Sequence, residues 1–271
     1  MLDDLHVVTI VTEPLFYFDH LHQSCRDHGI NLDVIRSSEN PHSNKWNLLH
    51  DYLDNMQNTD IVCYVDGFDT ICVRHLYELR TQFVATQQKH QCKLIVSHHK
   101  KLHRDYSWLS CCEEKCQNTL ISHGLSIGYV GDWKQVLTTI IDYNTNDHSA
   151  LVKYGNLYPY DISIDVRSQF FLCLSKPLHE IDEYIDIDSQ KTVMYEEEHP
   201  FFIHGTKCTY LTAILRKLGY NVHENMHSDL ILKYYADMCK DISGCKIMAF
   251  YMLCFVLMYV TYIEMQRIDR A

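Results

Sequence analysis

The stretch Ile61-Val62-Cys63-Tyr64-Val65-Asp66-Gly67-Phe68-Asp69 decides the architecture. An apolar, β-branched run ends abruptly in two carboxylates three residues apart. A run of that length reads as a strand buried on both faces, the pattern of a parallel sheet covered by helices on each side. Asp66 and Asp69 then fall on the turn past its carboxyl end, the edge at which open α/β sheets bind ligands. Two carboxylates on a short turn suit a hard divalent cation, Mg²⁺ or Mn²⁺, that keeps positions open for phosphate oxygens. Read alone, the same turn is equally an acidic bend with no ligand.

Working outward, strands are expected at residues 6–12, 31–35, 93–97 and 125–130, with short strand-like runs at 192–195 and 201–203. Helical spacing is read over 15–28, 45–56, 76–86, 132–143, 162–174 and 210–218. Gly29 and Gly219 stand where the helices before them should stop. Residues 144–148 read as a polar break, and 98–118 as a long irregular, cysteine-rich segment. Alternating strands and helices over the first half indicate an α/β layer with a mostly parallel sheet. Right-handed crossovers would gather the loops after successive strands on one edge.

The net charge of −11 argues against a nucleic-acid backbone as the main partner. A nucleotide diphosphate would need a metal or local basic groups to offset that field. Twelve cysteines in a chain of 271 residues with no Asn-x-Ser/Thr sequon and no basic, cleavable leader read as reduced thiols. Cys111, Cys112 and Cys116, with Cys92 or His103, are a weaker metal candidate, because the paired spacing of common zinc sites is missing. Residues 247–263 carry no charge over 17 positions. As a helix they would span about 25 Å, near the thickness of a hydrocarbon core. They read either as a membrane anchor or as a final helix packed on the fold or on a partner. The chain therefore divides at 1–243 and 244–271, and an anchored chain would face the cytoplasm with its catalytic part.

Several features line up in order: Thr12 closing the first strand, Lys45-Trp46 opening a helix, and Asp66-Gly67-Phe68-Asp69 after the third strand. Gly124-Leu125-Ser126-Ile127-Gly128 follows, then Asp165 with Ser168-Gln169-Phe170-Phe171, and near the end Phe202-Ile203-His204-Gly205. In this order they resemble the glycosyltransferase domain of the procollagen lysyl hydroxylases and the related procollagen glycosyltransferases, over roughly residues 5–220. The resemblance implies an α/β, GT-A-type (Rossmann-like) glycosyltransferase fold with a mixed, mostly parallel central sheet. It implies a metal-dependent transferase that moves a hexose from a UDP-sugar, UDP-glucose or UDP-galactose, to an acceptor hydroxyl. The acceptor would be hydroxylysine, its galactosyl derivative, or another protein or glycan hydroxyl. Carried over residue by residue, Asp66, Asp69 and His204 would hold Mn²⁺. Thr12, Lys45, Phe68, Gly124, Gly128 and Lys207 would bind the donor, Phe68 by stacking on the uracil. Asp165 and Gln169 would act at the reacting centre, Asp165 as the candidate base.

Two departures qualify this. The family's small polar–Gly–Gly run is Ser122-His123-Gly124-Leu125 here, and its Asp-Gln pair is Ser168-Gln169. On the expected helix, Asp165 would lie one turn earlier on the same face and supply the missing carboxylate. If it does not, nucleotide binding survives and turnover is in doubt. The alternative is then a catalytically weak or inactive nucleotide- or glycan-binding protein; a third reading is an interaction module held by its apolar tail.

Overall fold

The computed structural model describes residues 4–12, 16–37, 41–98, 121–143, 147–174, 185–189, 191–205 and 211–222, without the side chains of 41–44, 123, 147 and 148. All of these lie in one compact unit, Met1–Val222. Lys207, the 98–118 segment past His98, the boundary expected at 243 and the apolar run 247–263 lie outside the described residues. Among the described residues no helix is long and apolar enough to cross a membrane.

In chain order the elements begin with β1 (Leu5–Val11), α1 (Phe18–Asp27), β2 (Leu32–Arg36), α2 (Pro41–Leu53), β3 (Ile61–Val65) and β4 (Thr70–Cys72). Next come α3 (Tyr77–His90), β5 (Leu94–His98), β6 (Ile121–Tyr129), α4 (Val130–Ile141), α5 (Asp147–Leu157) and β7 (Ile162–Asp165). The chain continues with β8 (Phe171–Leu174), β9 (Asp186–Ile187), β10 (Val193–Met194), β11 (Phe202–Gly205) and a short helix α6 (Thr212–Lys217).

Six strands form the central sheet in the order β2-β1-β3-β6-β5-β7. β1 runs parallel to β2 and β3, β5 runs parallel to β7, and β6 is antiparallel to both of its neighbours. The fold is therefore α/β with a mixed, mostly parallel sheet. β3 is buried along its whole length. Ile61, Cys63 and Val65 join a core that includes Leu21 of α1 and Phe83 of α3. Val62 and Tyr64 join the core on the opposite face, with Trp46 and Leu49 of α2 and Trp133 of α4. Covering both faces is what makes the run continuously apolar.

The reversal of β6 matters for the site. Its amino end lies beside the carboxyl end of β3, with Leu125 paired to Val65. A second sheet, β4-β11-β8, then sets His204 opposite Thr70 on one side and Cys173 on the other.

Two expectations are corrected. Residues 162–174 are not a helix but β7, a turn and β8. The alternation in Ile162-Ser163-Ile164-Asp165 has the strand period, and Ser168 turns the chain with φ +60°. Asp165 and Gln169 therefore share no helix face. Of the polar break expected at 144–148, residues 144–146 lie outside the described residues, and 147–148 instead open α5, whose Ala150, Leu151 and Tyr154 are buried. Gly155 inside this helix is accounted for by packing, since a Cβ there would come within 2.7 Å of Ile121 Cδ1.

Candidate functional site

The turn after β3 is fixed at both ends and in its middle. Asp66 N–H donates to the Gly124 carbonyl of β6 at 2.8 Å. The Asp69 carbonyl accepts from Gly205 N–H of β11 at 2.8 Å, and the Phe68 carbonyl accepts from Tyr17 N–H at 3.0 Å. Inside the turn, Asp66 Oδ1 accepts from Phe68 N–H at 3.0 Å, the local bond that suits aspartate to a tight bend. Gly67 is required by β1: a Cβ there would lie 2.3 Å from Val11 Cγ1 and 2.8 Å from Thr9 Oγ1. The sequence Asp-Gly-Phe-Asp thus presents two carboxylates on a bend pressed against the neighbouring strand.

His204 arrives from β11, 5% exposed. Its Nε2 lies 2.7 Å from Asp69 Oδ1. Oδ1 is fully buried, so this close contact with the imidazole is shielded from water. One ligand atom from each of Asp66, Asp69 and His204 falls within 4.8 Å of the others. Two carboxylate oxygens and an imidazole nitrogen match the donor set of Mn²⁺ better than that of Mg²⁺. A buried carboxylate is costly unless a cation is paired with it, and here the protonated imidazole is that partner until a metal ion takes the place of its Nε2 proton. The residues present therefore fit a divalent cation. Burial pushes the Asp69 carboxyl above its ordinary range. Burial pulls the His204 imidazole down, and the carboxylate beside it outweighs this, holding it well above the usual histidine value.

Of the donor-binding candidates, four lie near this edge of the sheet. Thr12 follows β1 directly. Phe68 lies on the turn itself, half-buried, its ring edge-on to Phe16 with centroids 6.3 Å apart. Gly124 packs against the imidazole: a Cβ there would be 2.5 Å from His204 Cε1 and 2.7 Å from Nε2. Lys45 is buried, its Nζ 4.3 Å from the ring centre of Trp46 and 4.6 Å from that of Tyr64, two residues before Asp66. Such contacts with aromatic faces stabilise a desolvated ammonium.

The remaining candidates stand apart. Gly128 is four residues along β6 from Gly124, roughly 13 Å at strand rise. A Cβ there would strike Leu94 and the Lys93 carbonyl, so its smallness serves the packing of β5 on β6. Asp165 ends β7, three strand spacings from β3, roughly 14 Å. Its carboxylate accepts from the backbone N–H of Gln169, Phe170 and Phe171 at 2.9, 2.7 and 2.8 Å. Burial nevertheless raises its pKa, against the pull of those bonds. The Gln169 side chain donates to Glu198 Oε1 at 3.1 Å, and the Gln169 backbone carbonyl accepts from the Gln82 side chain.

Cys173 is a neighbour of the site that sequence reasoning missed. It lies opposite His204 in parallel register, with Sγ 3.5 Å from Nδ1. The apolar run Phe170 to Leu174 was its signal, once read as a strand rather than as part of a helix.

No family model matches the chain, and no curated protein matches it. Among solved structures it is similar to a glycosyltransferase involved in the glycosylation of the major capsid of PBCV-1, at 10% identity and a TM-score of 0.47. That match covers 79% of this chain and 98% of the other. It is also similar to the galactosyltransferase LgtC in complex with donor and acceptor sugar analogues, at 12% identity and a TM-score of 0.45, over 82% and 99% of the two chains. At such distances the site itself has to carry any functional statement.

Proposed function

We propose that the chain is a metal-dependent glycosyltransferase of the GT-A type, moving a hexose from a UDP-sugar to an acceptor hydroxyl. The single observation that carries this is the convergence of Asp66, Asp69 and His204 at the carboxyl edge of the sheet, with an Asp69 oxygen buried against the imidazole. A bound Mn²⁺ would supply the positive charge that offsets the negative charge developing on a departing nucleotide diphosphate. The rest belongs to the chain. Lys45 adds a desolvated cation on the same side of β3 as Tyr64. Phe68 offers a half-buried aromatic face for the base. Gly124, lacking a side chain, keeps the imidazole close to the sheet. UDP-glucose or UDP-galactose is the donor this reading favours, with a protein or glycan hydroxyl as acceptor; the likeness to the procollagen-modifying family rests on the motif order given above.

A second reading is favoured by Asp165. With three backbone N–H groups on its carboxylate, it is committed to holding the turn before β8. A nucleotide-sugar-binding protein with little or no turnover fits that arrangement.

One experiment separates the readings. The full chain is offered UDP-glucose and UDP-galactose with and without Mn²⁺, and release of UDP is followed with and without hydroxylysine-containing peptide. Asp66→Ala and Asp69→Ala serve as controls. Mn²⁺-dependent UDP release absent from both variants supports the transferase. Mn²⁺-dependent UDP binding without release supports the second reading, and failure to bind either Mn²⁺ or UDP defeats both.

A further inference from the structure

Each ring nitrogen of His204 has its own neighbour. Nε2 faces Asp69 Oδ1 at 2.7 Å, and Nδ1 faces Cys173 Sγ at 3.5 Å. Cys173 is there because β8 and β11 run parallel with His204 in register beside it. It is 3% exposed, so water does not compete for these contacts. On its other side the thiol donates to Ser122 Oγ at 3.4 Å. Ser122 is the second residue of β6, two before Gly124, on which the imidazole packs.

A thiol has one hydrogen. Once that hydrogen is given to Ser122, the sulfur can meet Nδ1 only as an acceptor, and Nδ1 must carry a proton. Beside Asp69 the ring carries a proton on Nε2 as well; when a cation takes the place of that proton, the Nδ1–H bond to sulfur remains and keeps Nε2 aimed at the side of Asp69 and Asp66. Metal-binding histidines are commonly held by a hydrogen bond from their other nitrogen to a carboxylate or carbonyl, which fixes tautomer and ring orientation. Among the described residues, the partner found at that position is a thiol.

We propose that Cys173 is a positioning residue. Its sulfur accepts the Nδ1–H of His204 while its own hydrogen goes to Ser122, and this two-bond chain keeps Nε2 turned toward the carboxylates of Asp66 and Asp69. The consequence for metal binding rests on the function proposed above; the hydrogen bond itself rests only on the three side chains.

Two measurements on the full chain test the two parts separately. The first is solvent exchange of the His204 Nδ1 proton, followed by ¹⁵N-edited NMR of the metal-free protein. The imidazolium and the Nδ1–H neutral tautomer both carry that proton. It should exchange slowly in the wild type and in Cys173→Ser, whose hydroxyl can both donate and accept, and rapidly in Cys173→Ala. A wild-type Nδ1 that carries no proton, or equal exchange in all three proteins, overturns the proposal. The second is Mn²⁺ affinity by electron paramagnetic resonance. Cys173→Ala should bind about tenfold more weakly, the lower end of the usual effect of such partners, and Cys173→Ser within about twofold of wild type by the same scale. Equal affinity in wild type and Ala, or equal weakening in Ala and Ser, overturns the metal-positioning role. If the wild type binds no Mn²⁺, the function proposed above fails, and the exchange measurement still decides the hydrogen bond. If Cys173→Ala does not fold, Cys173→Val, closer in size and without an acceptor, takes its place: rapid Nδ1–H exchange supports the bond, and exchange as slow as in the wild type overturns it.

Discussion

Gly124 has no side chain because His204 occupies the space one would fill. Gly124→Ala forces the imidazole to move by several tenths of an ångström or more, an overpacking that costs about 1–3 kcal/mol. Urea denaturation should show that loss, and Mn²⁺ affinity should fall at least about tenfold, the size of effect seen when a metal-binding histidine loses its support. An Ala variant that binds Mn²⁺ like the wild type would remove His204 from the ligand set. Asp165 makes the opposite point. Asp165→Ala strands three backbone N–H groups, at about 1–3 kcal/mol for each left unpaired in the interior. We expect a loss of at least about 2 kcal/mol on that scale, with Mn²⁺ affinity unchanged; a variant of normal stability that no longer bound Mn²⁺ would return Asp165 to the site. The raised pKa of Asp165 also gives a pH signature. Because the folded value lies above the unfolded one, about 3.9, this group's contribution is fully present below about pH 4 and is lost as pH rises through the folded value. Asp165→Asn should flatten that fall in a plot of melting temperature against pH.

At the scale of elements, two helices end by the same device. Gly29 has φ +71° and Gly219 φ +89°. Gly29 N–H bonds to the Arg26 carbonyl and Ile30 N–H to Cys25; Gly219 N–H bonds to Arg216 and Tyr220 N–H to Leu215. This paired pattern satisfies the last carbonyls of a helix and needs a left-handed residue at its turn. A Cβ at Gly29 meets nothing within 4 Å. Gly29→Ala therefore isolates the backbone cost, about 1–2 kcal/mol by denaturation, and Gly29→Asn should lose less, since asparagine tolerates that region. Both stops were legible in the sequence because glycine reports its own conformation. The turn at Ser168 was not, because a serine at positive φ is held there by its surroundings, here the carboxylate of Asp165 gathering the N–H groups after it. That one turn made 162–174 read as a helix and hid Cys173. The helix α5 was hidden in the other direction: its polar start and Gly155 look like a loop, and only contact with β6 shows why glycine is tolerated.

At the scale of the molecule, the candidate site joins two sheets. Asp66 and Asp69 follow a strand of the central sheet, and His204 belongs to a strand of the smaller one. A cation bound across that seam stabilises only the folded arrangement, so its effect follows its concentration. At about one hundred times the dissociation constant, Mn²⁺ should add about 2.7 kcal/mol of stability in the wild type. The same additions to Asp69→Asn should shift the melting temperature little or not at all. Equal shifts in the two proteins would mean that Mn²⁺ binds elsewhere. On the function proposed above, the net charge of −11 gives a reason for the cation to matter, since a nucleotide diphosphate would have to approach a negative surface.

Composition and local pattern alone determined that β3 is a doubly buried strand and that two carboxylates follow it, because burial on both faces writes itself as an unbroken apolar run and a tight turn as Asp-Gly. They also determined where two helices stop. The tertiary structure alone decided that β6 runs backwards to bring Gly124 to the turn, that Gly128 and Asp165 fall away from it, and that a thiol sits behind the imidazole. Those are relations between strands distant in the chain, and strand order and register are set by the packing of whole layers, which leaves no local mark on the residues concerned.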